Sequence, residues 1–233
     1  MNRYLEKGGV TIDTLLVVAK QPSPGQTKTR LCPPLSPNQA SELYECFLRD
    51  TLGLMRLVPG VRHWIGYLPE AAKDYFRLLA PDMELILQRG TSLGERLDHL
   101  LSDALGEGSR RAVVIGSDSP TLPSAYIAEA FERLNEVDVI LGPTEDGGYY
   151  LIGVKRPQPQ LLRQVQMSTP HVLSNTLALA EAAGLTVAQL PTWFDVDKLA
   201  DLLRLDHQIA GLEDSLAVAT RRWLRANQKA FRE

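Results

Sequence analysis

Residues 11–31, TIDTLLVVAKQPSPGQTKTRL, pass from an apolar run into a basic loop. Ile12, Leu15, Leu16, Val17 and Val18 form a compact apolar group, which predicts a buried strand over Thr11–Ala19. Pro22, Pro24 and Gly25 end it. Ser36 then offers a helix cap and Pro37 a rigid first position, after which Ala40, Leu43, Tyr44, Phe47, Leu48, Thr51 and Leu52 recur at helical spacing. The unit is strand, loop, helix.

The alternation continues outward. Arg62–Leu68 and Glu84–Gln88 read as strands separated by a helix over Pro69–Leu79. A helix over Gly94–Leu105 precedes the most apolar short strand, Ala112–Ile115, and Val137–Leu141 is another strand. Beyond Gly147-Gly148, the run Tyr149–Ile152 places Tyr149 and Tyr150 on opposite faces if it is a strand. A helix over Thr169–Ala183, a strand over Leu185–Leu190 and a helical pair after Asp197 complete the series. Strands apolar on both faces need helices on both sides of the sheet, so the expected architecture is a three-layer α/β/α fold. Arg156–Gln160 reads as a surface turn, and residues 1–233 as a single domain.

Composition narrows the function. With 44% hydrophobic and 23% charged residues the chain is of the globular kind, and 25 Lys plus Arg against 28 Asp plus Glu give no overall positive field for nucleic acid. The run Leu15–Ala19 is far too short to span a bilayer, so no membrane partner is expected. Cys32 and Cys46 form no CxxC pair and no signal-like segment opens the chain, which predicts free thiols and a cytoplasmic protein. His63, His99, His171 and His207 form no zinc-binding array. Leu212, Leu216, Val218, Trp223, Leu224 and Phe231 either cover the core or join subunits, which leaves a homodimer open.

In such sheets ligands gather beyond the strand C-termini, so residues 20–31, 116–121 and 142–148 should border one cleft. Lys20, Lys28 and Arg30, with Thr29 among them, suit a polyphosphate clamp: Lys28 a mobile point charge, Arg30 a planar fork, and backbone amides near Gly25 further donors. The segment has neither GxxxxGK[ST] nor GxGxxG, and a solvated basic turn is the competing reading. In GSDSPTLP (116–123), Asp118 suits a hard divalent ion and Ser117 a backbone or phosphate contact, against an ordinary Asx turn. In GPTEDGGYY (142–150), Glu145 and Asp146 suit hydroxyls of a sugar or acceptor, with Gly147, Gly148 and Tyr149 allowing close approach, against a plain turn. In FDVD (194–197), a strand-like conformation would turn Asp195 and Asp197 the same way, so that one can reach a metal while the other buttresses it, unless Asp197 only caps the next helix. In RGTSLGERL (89–97), Gly90 and Gly94 allow close ligand contact while Arg96 binds phosphate or Glu95, against a structural turn. Mg2+ or Mn2+ between Asp118 and Asp197, beside Lys28 and Arg30, would steady a leaving phosphate while an incoming oxygen attacks phosphorus or a sugar carbon.

VVAKQPSPGQTKTRL (17–31), LGERL (93–97), VVIGSDSPTLP (113–123), VILGPTEDGGYYLIGV (139–154) and FDVDKLADL (194–202) together resemble the bacterial DUF2064 family, called radical-SAM/selenodomain-associated transferase 1. The resemblance spans approximately residues 11–210 and implies a GT-A-like nucleotide-diphospho-sugar transferase fold: a mixed, mostly parallel sheet of about seven strands and a C-terminal helical extension. Residues 20–31 are also similar to the nucleotide-binding loop of 2-phospholactate guanylyltransferases. The resemblance implies metal-binding roles for Asp118 and Asp197, with Asp195 beside them, and turns Glu145 and Asp146 toward the acceptor or sugar. Where family members often carry Trp-Ser-Thr, this chain has Met167-Ser168-Thr169, which keeps apolar packing but lacks the indole donor. The expected activity is nucleotidyl transfer from an NTP, GTP among the candidates, to a small phosphorylated or acidic metabolite with release of pyrophosphate. The alternatives are glycosyl transfer from an NDP-sugar to a sugar acceptor with release of NDP, and a non-catalytic nucleotide-responsive interaction protein. Lys28 with Arg30 favours the first, since a triphosphate carries more charge to neutralise.

Overall fold

The apolar run at the start becomes strand β1 over Asp13–Lys20 in the computed structural model, which describes residues 12–232; Thr11 lies outside the described residues. Leu15 and Val17 face one side and Leu16 the other, all at 0% exposure, because helices cover both faces. Helix α1 (Pro37–Arg56) starts where expected: Gln39 N donates to Ser36 Oγ at 3.3 Å, and Ser36 N donates to Gln39 Oε1 at 2.9 Å.

The remaining elements follow in order: β2 (Val61–Leu68), α2 (Lys73–Leu79), β3 (Glu84–Leu87), α3 (Leu93–Gly106), β4 (Ala112–Ile115) and α4 (Ser124–Arg133). Then come β5 (Val139–Pro143), β6 (Tyr149–Val154), α5 (Pro159–Arg163), α6 (Val172–Ala182), β7 (Val187–Gln189), α7 (Leu199–Ala210) and α8 (Val218–Arg232). Helix α4 is additional to the elements expected from sequence, although its buried Ile127, Ala130 and Phe131 have helical spacing. Helix α6 starts three residues later than Thr169: Ser168 is held at φ 63°, and Pro170 interrupts the approach to the helix. The turn expected over Arg156–Gln160 gives way to α5 at Pro159, which takes the first helical position.

The strands form one sheet in the order β3-β2-β1-β4-β6-β5-β7, in which β6 alone runs against the rest. Leu16 lies opposite Trp64 on β2 and Val114 on β4, so the parallel centre is in register across three strands. One face packs under α1, α2 and α4 through Leu15, Val17, Ile65 and Val113. The other packs under α3, α5 and α6 through Leu16, Trp64, Val114 and Ile152, and each of the three aliphatic side chains contributes about 1.5–3 kcal/mol on burial. The sheet is thus the middle of three layers.

Helix α1 has a second apolar face. Ala40, Leu43 and Phe47 point away from the sheet and pack against Leu202 and Leu205 of α7 and Trp223, Leu224 and Phe231 of α8. The apolar C-terminal positions therefore cover α1, apart from Leu216 and Val218, which stay exposed. Among the described residues no helix is long and apolar enough to cross a membrane. The C-terminal ends of β1, β4 and β5 and the start of β6 share one edge of the sheet, and the loops there meet.

Candidate active site

Those loops enclose a cleft of about 700 Å³. Lys20, Lys28, Thr29 and Arg30 line it from the first loop, Ser117 and Asp118 from the second, Asp146, Gly148 and Tyr149 from the third, and Asp195 and Asp197 from the segment before α7. Arg96 reaches it from the first turn of α3.

Lys28 is at the centre. Its Nζ lies 2.6 Å from Asp118 Oδ1 and 3.0 Å from Asp197 Oδ1, with the side chain only 5% exposed and 5.8 Å from the centre of the Phe47 ring. Burial works against the ammonium, but the charges of Asp118 and then Asp197 outweigh it and hold Lys28 above the ordinary lysine range. Its backbone is left-handed at φ 50°, uncommon for a residue with a long side chain. Arg30 touches Asp197 Oδ2 at 3.4 Å from a 68% exposed position, a contact worth little and easily redirected.

The acidic side is equally fixed. Asp197 N and Lys198 N donate to Asp201 Oδ2 at 3.0 and 2.8 Å, so Asp201 satisfies the start of α7 and the Asp197 carboxylate turns to the cleft. The reading of Asp197 as the helix cap is corrected by this contact. Val196 N donates to the Asp118 carbonyl at 3.1 Å and ties the two acidic segments together. Asp195 accepts from Ser119 Oγ at 2.6 Å, and burial, followed by the charge of Asp118, pushes its carboxyl up to about 7.

Two carboxylates converge on the Lys28 ammonium, and carboxylate oxygens are the donor type that Mg2+ and Mn2+ take. Among the described residues no group of three or more His, Cys, Asp or Glu gathers to cage a metal. A pair of carboxylates nevertheless matches the usual Mg2+ arrangement, in which waters and substrate phosphates complete the shell.

Other predicted residues lie apart from the cleft lining. Glu145 pairs with Arg204 of α7 at 2.6 Å. Asp146, by contrast, lines the cleft but spends one oxygen on its own turn, accepting from Thr144 Oγ1 at 2.6 Å and Gly148 N at 3.2 Å. Gly25 faces open space at φ 73° and is a turn residue. A methyl group at Gly147 would fall 2.0 Å from the Pro170 carbonyl oxygen, and one at Gly90 2.7 Å from Glu95 Cβ. At Gly94 it would fall 2.1 Å from the Leu162 carbonyl oxygen. These last three glycines admit neighbouring protein atoms, where close ligand contact was expected of them. Gly94→Ala is therefore expected to destabilise by about 1–3 kcal/mol despite the higher helix propensity of alanine, because α5 must shift. A denaturant midpoint at or above that of wild type would contradict this. Arg96 does not pair with Glu95: its Nε donates to Gly90 O at 3.1 Å, while Glu95 caps α3 through Thr91 and Ser92.

Two polar residues of the site escape sequence reading. The Tyr44 hydroxyl accepts from Lys20 N at 3.2 Å and shares a hydrogen bond with Ser117 Oγ at 2.8 Å. Its place on the apolar stripe of α1 marks it only as core. Gln88 Nε2 donates to the carbonyls of Ala19 and Gly66 at 3.1 and 2.7 Å, clamping the ends of β1 and β2. A glutamine closing an apolar strand was its one visible signal. Met167 lies in the cleft wall, with its sulfur 3.8 Å from the Tyr149 hydroxyl.

This sheet order, with its cleft at the strand ends, defines a GT-A-like nucleotide-diphospho-sugar transferase fold. A candidate nucleotide-diphospho-sugar transferase from Desulfovibrio desulfuricans G20 is 33% identical, aligns over 94% of this chain and 96% of its own, and superposes with a TM-score of 0.88. A cytidylyltransferase from Leptospira borgpetersenii serovar Hardjo-bovis shares the fold at 11% identity, with 95% and 97% of the two chains covered and a TM-score of 0.58. So does 4-diphosphocytidyl-2C-methyl-D-erythritol synthase from Anaerococcus prevotii, at 8% identity, 85% and 96% coverage and a TM-score of 0.58. No curated protein is significantly similar in sequence. The chain belongs to the DUF2064 family, described as "uncharacterized protein conserved in bacteria", whose model matches residues 51–169.

Proposed function

We propose that the protein is a metal-dependent transferase that takes an activated nucleotide in this cleft, transfers its sugar to a small acceptor and releases a nucleoside diphosphate. The observation that carries the metal and phosphate part is the convergence of Asp118 and Asp197 on one cation beside the basic loop. The likeness over 94% of the chain to a candidate nucleotide-diphospho-sugar transferase supports the choice of donor. Asp118 and Asp197 would hold Mg2+ or Mn2+, with Asp195 behind them. The ion would supply charge stabilisation to the departing diphosphate.

The chain's own groups do the rest. Arg30 is exposed enough to swing onto phosphate oxygens, and Lys28 supplies a buried point charge beside it. Lys20 and Arg96 line the cleft without a carboxylate partner among the described residues, so both can bind an anionic part of donor or acceptor. Asp146 and Tyr149, on the third loop, border the space for the sugar. An acceptor hydroxyl attacks the anomeric carbon, the bond from that carbon to the diphosphate oxygen breaks, and the hydroxyl proton leaves to solvent. Free Cys32 and Cys46 accord with a reducing, cytoplasmic setting.

A second reading is nucleotidyl transfer from an NTP to a phosphorylated or acidic metabolite, with release of pyrophosphate. Four cations on the cleft wall, Lys20, Lys28, Arg30 and Arg96, favour it. The deciding experiment incubates the protein and Mn2+ with NDP-sugars and NTPs, GTP included, plus pools of sugars and phosphorylated metabolites, and reads products by mass spectrometry. Released NDP supports the first reading and pyrophosphate the second. Nucleotide binding without turnover would establish the non-catalytic alternative.

A further inference from the structure

We infer that Lys28 is an internal cation that holds the metal position until a polyphosphate arrives, so that divalent metal and polyphosphate enter the site together. The inference rests on the proposed nucleotide site and concerns how that site is filled. Lys28 Nζ is 2.6 and 3.0 Å from the Oδ1 atoms of Asp118 and Asp197. A metal held by those same two oxygens on the side that faces Nζ, at about 2.1 Å from each, would crowd the ammonium. Two cations cannot share that position.

Lys28 cannot simply withdraw. Its side chain is 5% exposed and lies near the Phe47 ring, and its left-handed backbone fixes where the side chain starts. Asp118 and Asp197 are its only carboxylate partners among the described residues. A metal arriving alone would take both partners and leave a buried ammonium beside a divalent charge, which is repulsive and poorly solvated. A phosphate oxygen removes that obstacle, because it pairs with the displaced ammonium and with the metal at once. Arg30, exposed and only loosely paired, can follow the phosphates without such a cost. By linkage, polyphosphate raises metal affinity and metal raises polyphosphate affinity by the same factor.

The test measures Mn2+ binding without turnover. Equilibrium dialysis against Mn2+ alone is expected to leave wild-type protein with little metal, whereas adding tripolyphosphate, which lowers free Mn2+, should raise bound metal toward about one ion per chain. Lys28→Met should bind Mn2+ alone at least about tenfold more tightly than wild type, followed by loss of the free-ion electron paramagnetic resonance signal. Should Lys28→Met not fold, Lys28→Gln takes its place in the same Mn2+ titration. Tight Mn2+ binding by wild type without tripolyphosphate, or no gain in Lys28→Met, overturns the inference and leaves the nucleotide site standing. No Mn2+ retained by any protein under any condition overturns both.

Discussion

Replacing Asp118 by asparagine is expected to lower turnover about a hundredfold or more, from the several kcal/mol that a bound divalent ion contributes to charge stabilisation. The substitution keeps the size of the side chain and removes the charge that pairs with Lys28 at 2.6 Å. Asp118 is 41% exposed and its partner Lys28 only 5%, but Asp197 still holds the ammonium at 3.0 Å, so the fold should persist with a loss of about 1–3 kcal/mol. The measurement is the rate of NDP or pyrophosphate release at limiting and saturating Mg2+, with thermal melting as the control. A variant that stays folded at the assay temperature and turns over at the wild-type rate in limiting Mg2+ would remove Asp118 from the site.

The largest effect on stability is expected far from the cleft. Arg111, immediately before β4, donates from Nε to Asp13 Oδ1 at 3.0 Å and from Nη2 to the other oxygen of the same carboxylate. Its Nη1 donates to Asn135 Oδ1 at 2.9 Å and to the Phe131 carbonyl, so one guanidinium joins β1, β4 and the end of α4. Both charged side chains are nearly buried, at 9% and 10% exposure. Arg111→Met leaves the Asp13 carboxylate without its main partner, and Arg110 at 3.6 Å replaces it poorly. The expected loss is about 3–5 kcal/mol, read as a fall in melting temperature of roughly 6–20 °C for a chain of this size. The double variant with Asp13→Leu should recover part of that loss, because neither charge then remains. A single variant within about 1 kcal/mol of wild type would show that the pair is not what joins these elements.

The strands were legible because their signal is local. Ala112–Ile115 is apolar at every position, and only a strand covered on both faces accommodates such a run at that length. Ser36 and Pro37 likewise marked the start of α1, since a cap depends on neighbours three residues away. Helix α4 was less visible because Pro120 and Pro123 obscure its approach. Of the cleft, the loops could be named from the rule that places ligands beyond parallel strand ends, and Lys28, Asp118 and Asp197 were legible as chemistry.

Partner choice was not. Glu145 and Asp146 are adjacent and alike, yet one pairs with Arg204, 59 residues away, while the other borders the cleft. Gly94 suggests an opening for a ligand until the Leu162 carbonyl is seen beside it. Tyr44 and Gln88 carry their hydroxyl and amide to the strand ends from elements whose periodicity shows only burial.

Apart from α4 and α5, the succession of strands and helices along the chain, the basic loop and the acidic segments were legible in the sequence alone, since hydrophobic spacing and backbone preference act over a few residues. Tertiary structure alone decided that Lys28 meets Asp197 across 169 positions of chain and that Asp195 is buried with a raised carboxyl. Charge pairing and desolvation depend on distance and enclosure in space, and no spacing along the chain encodes either.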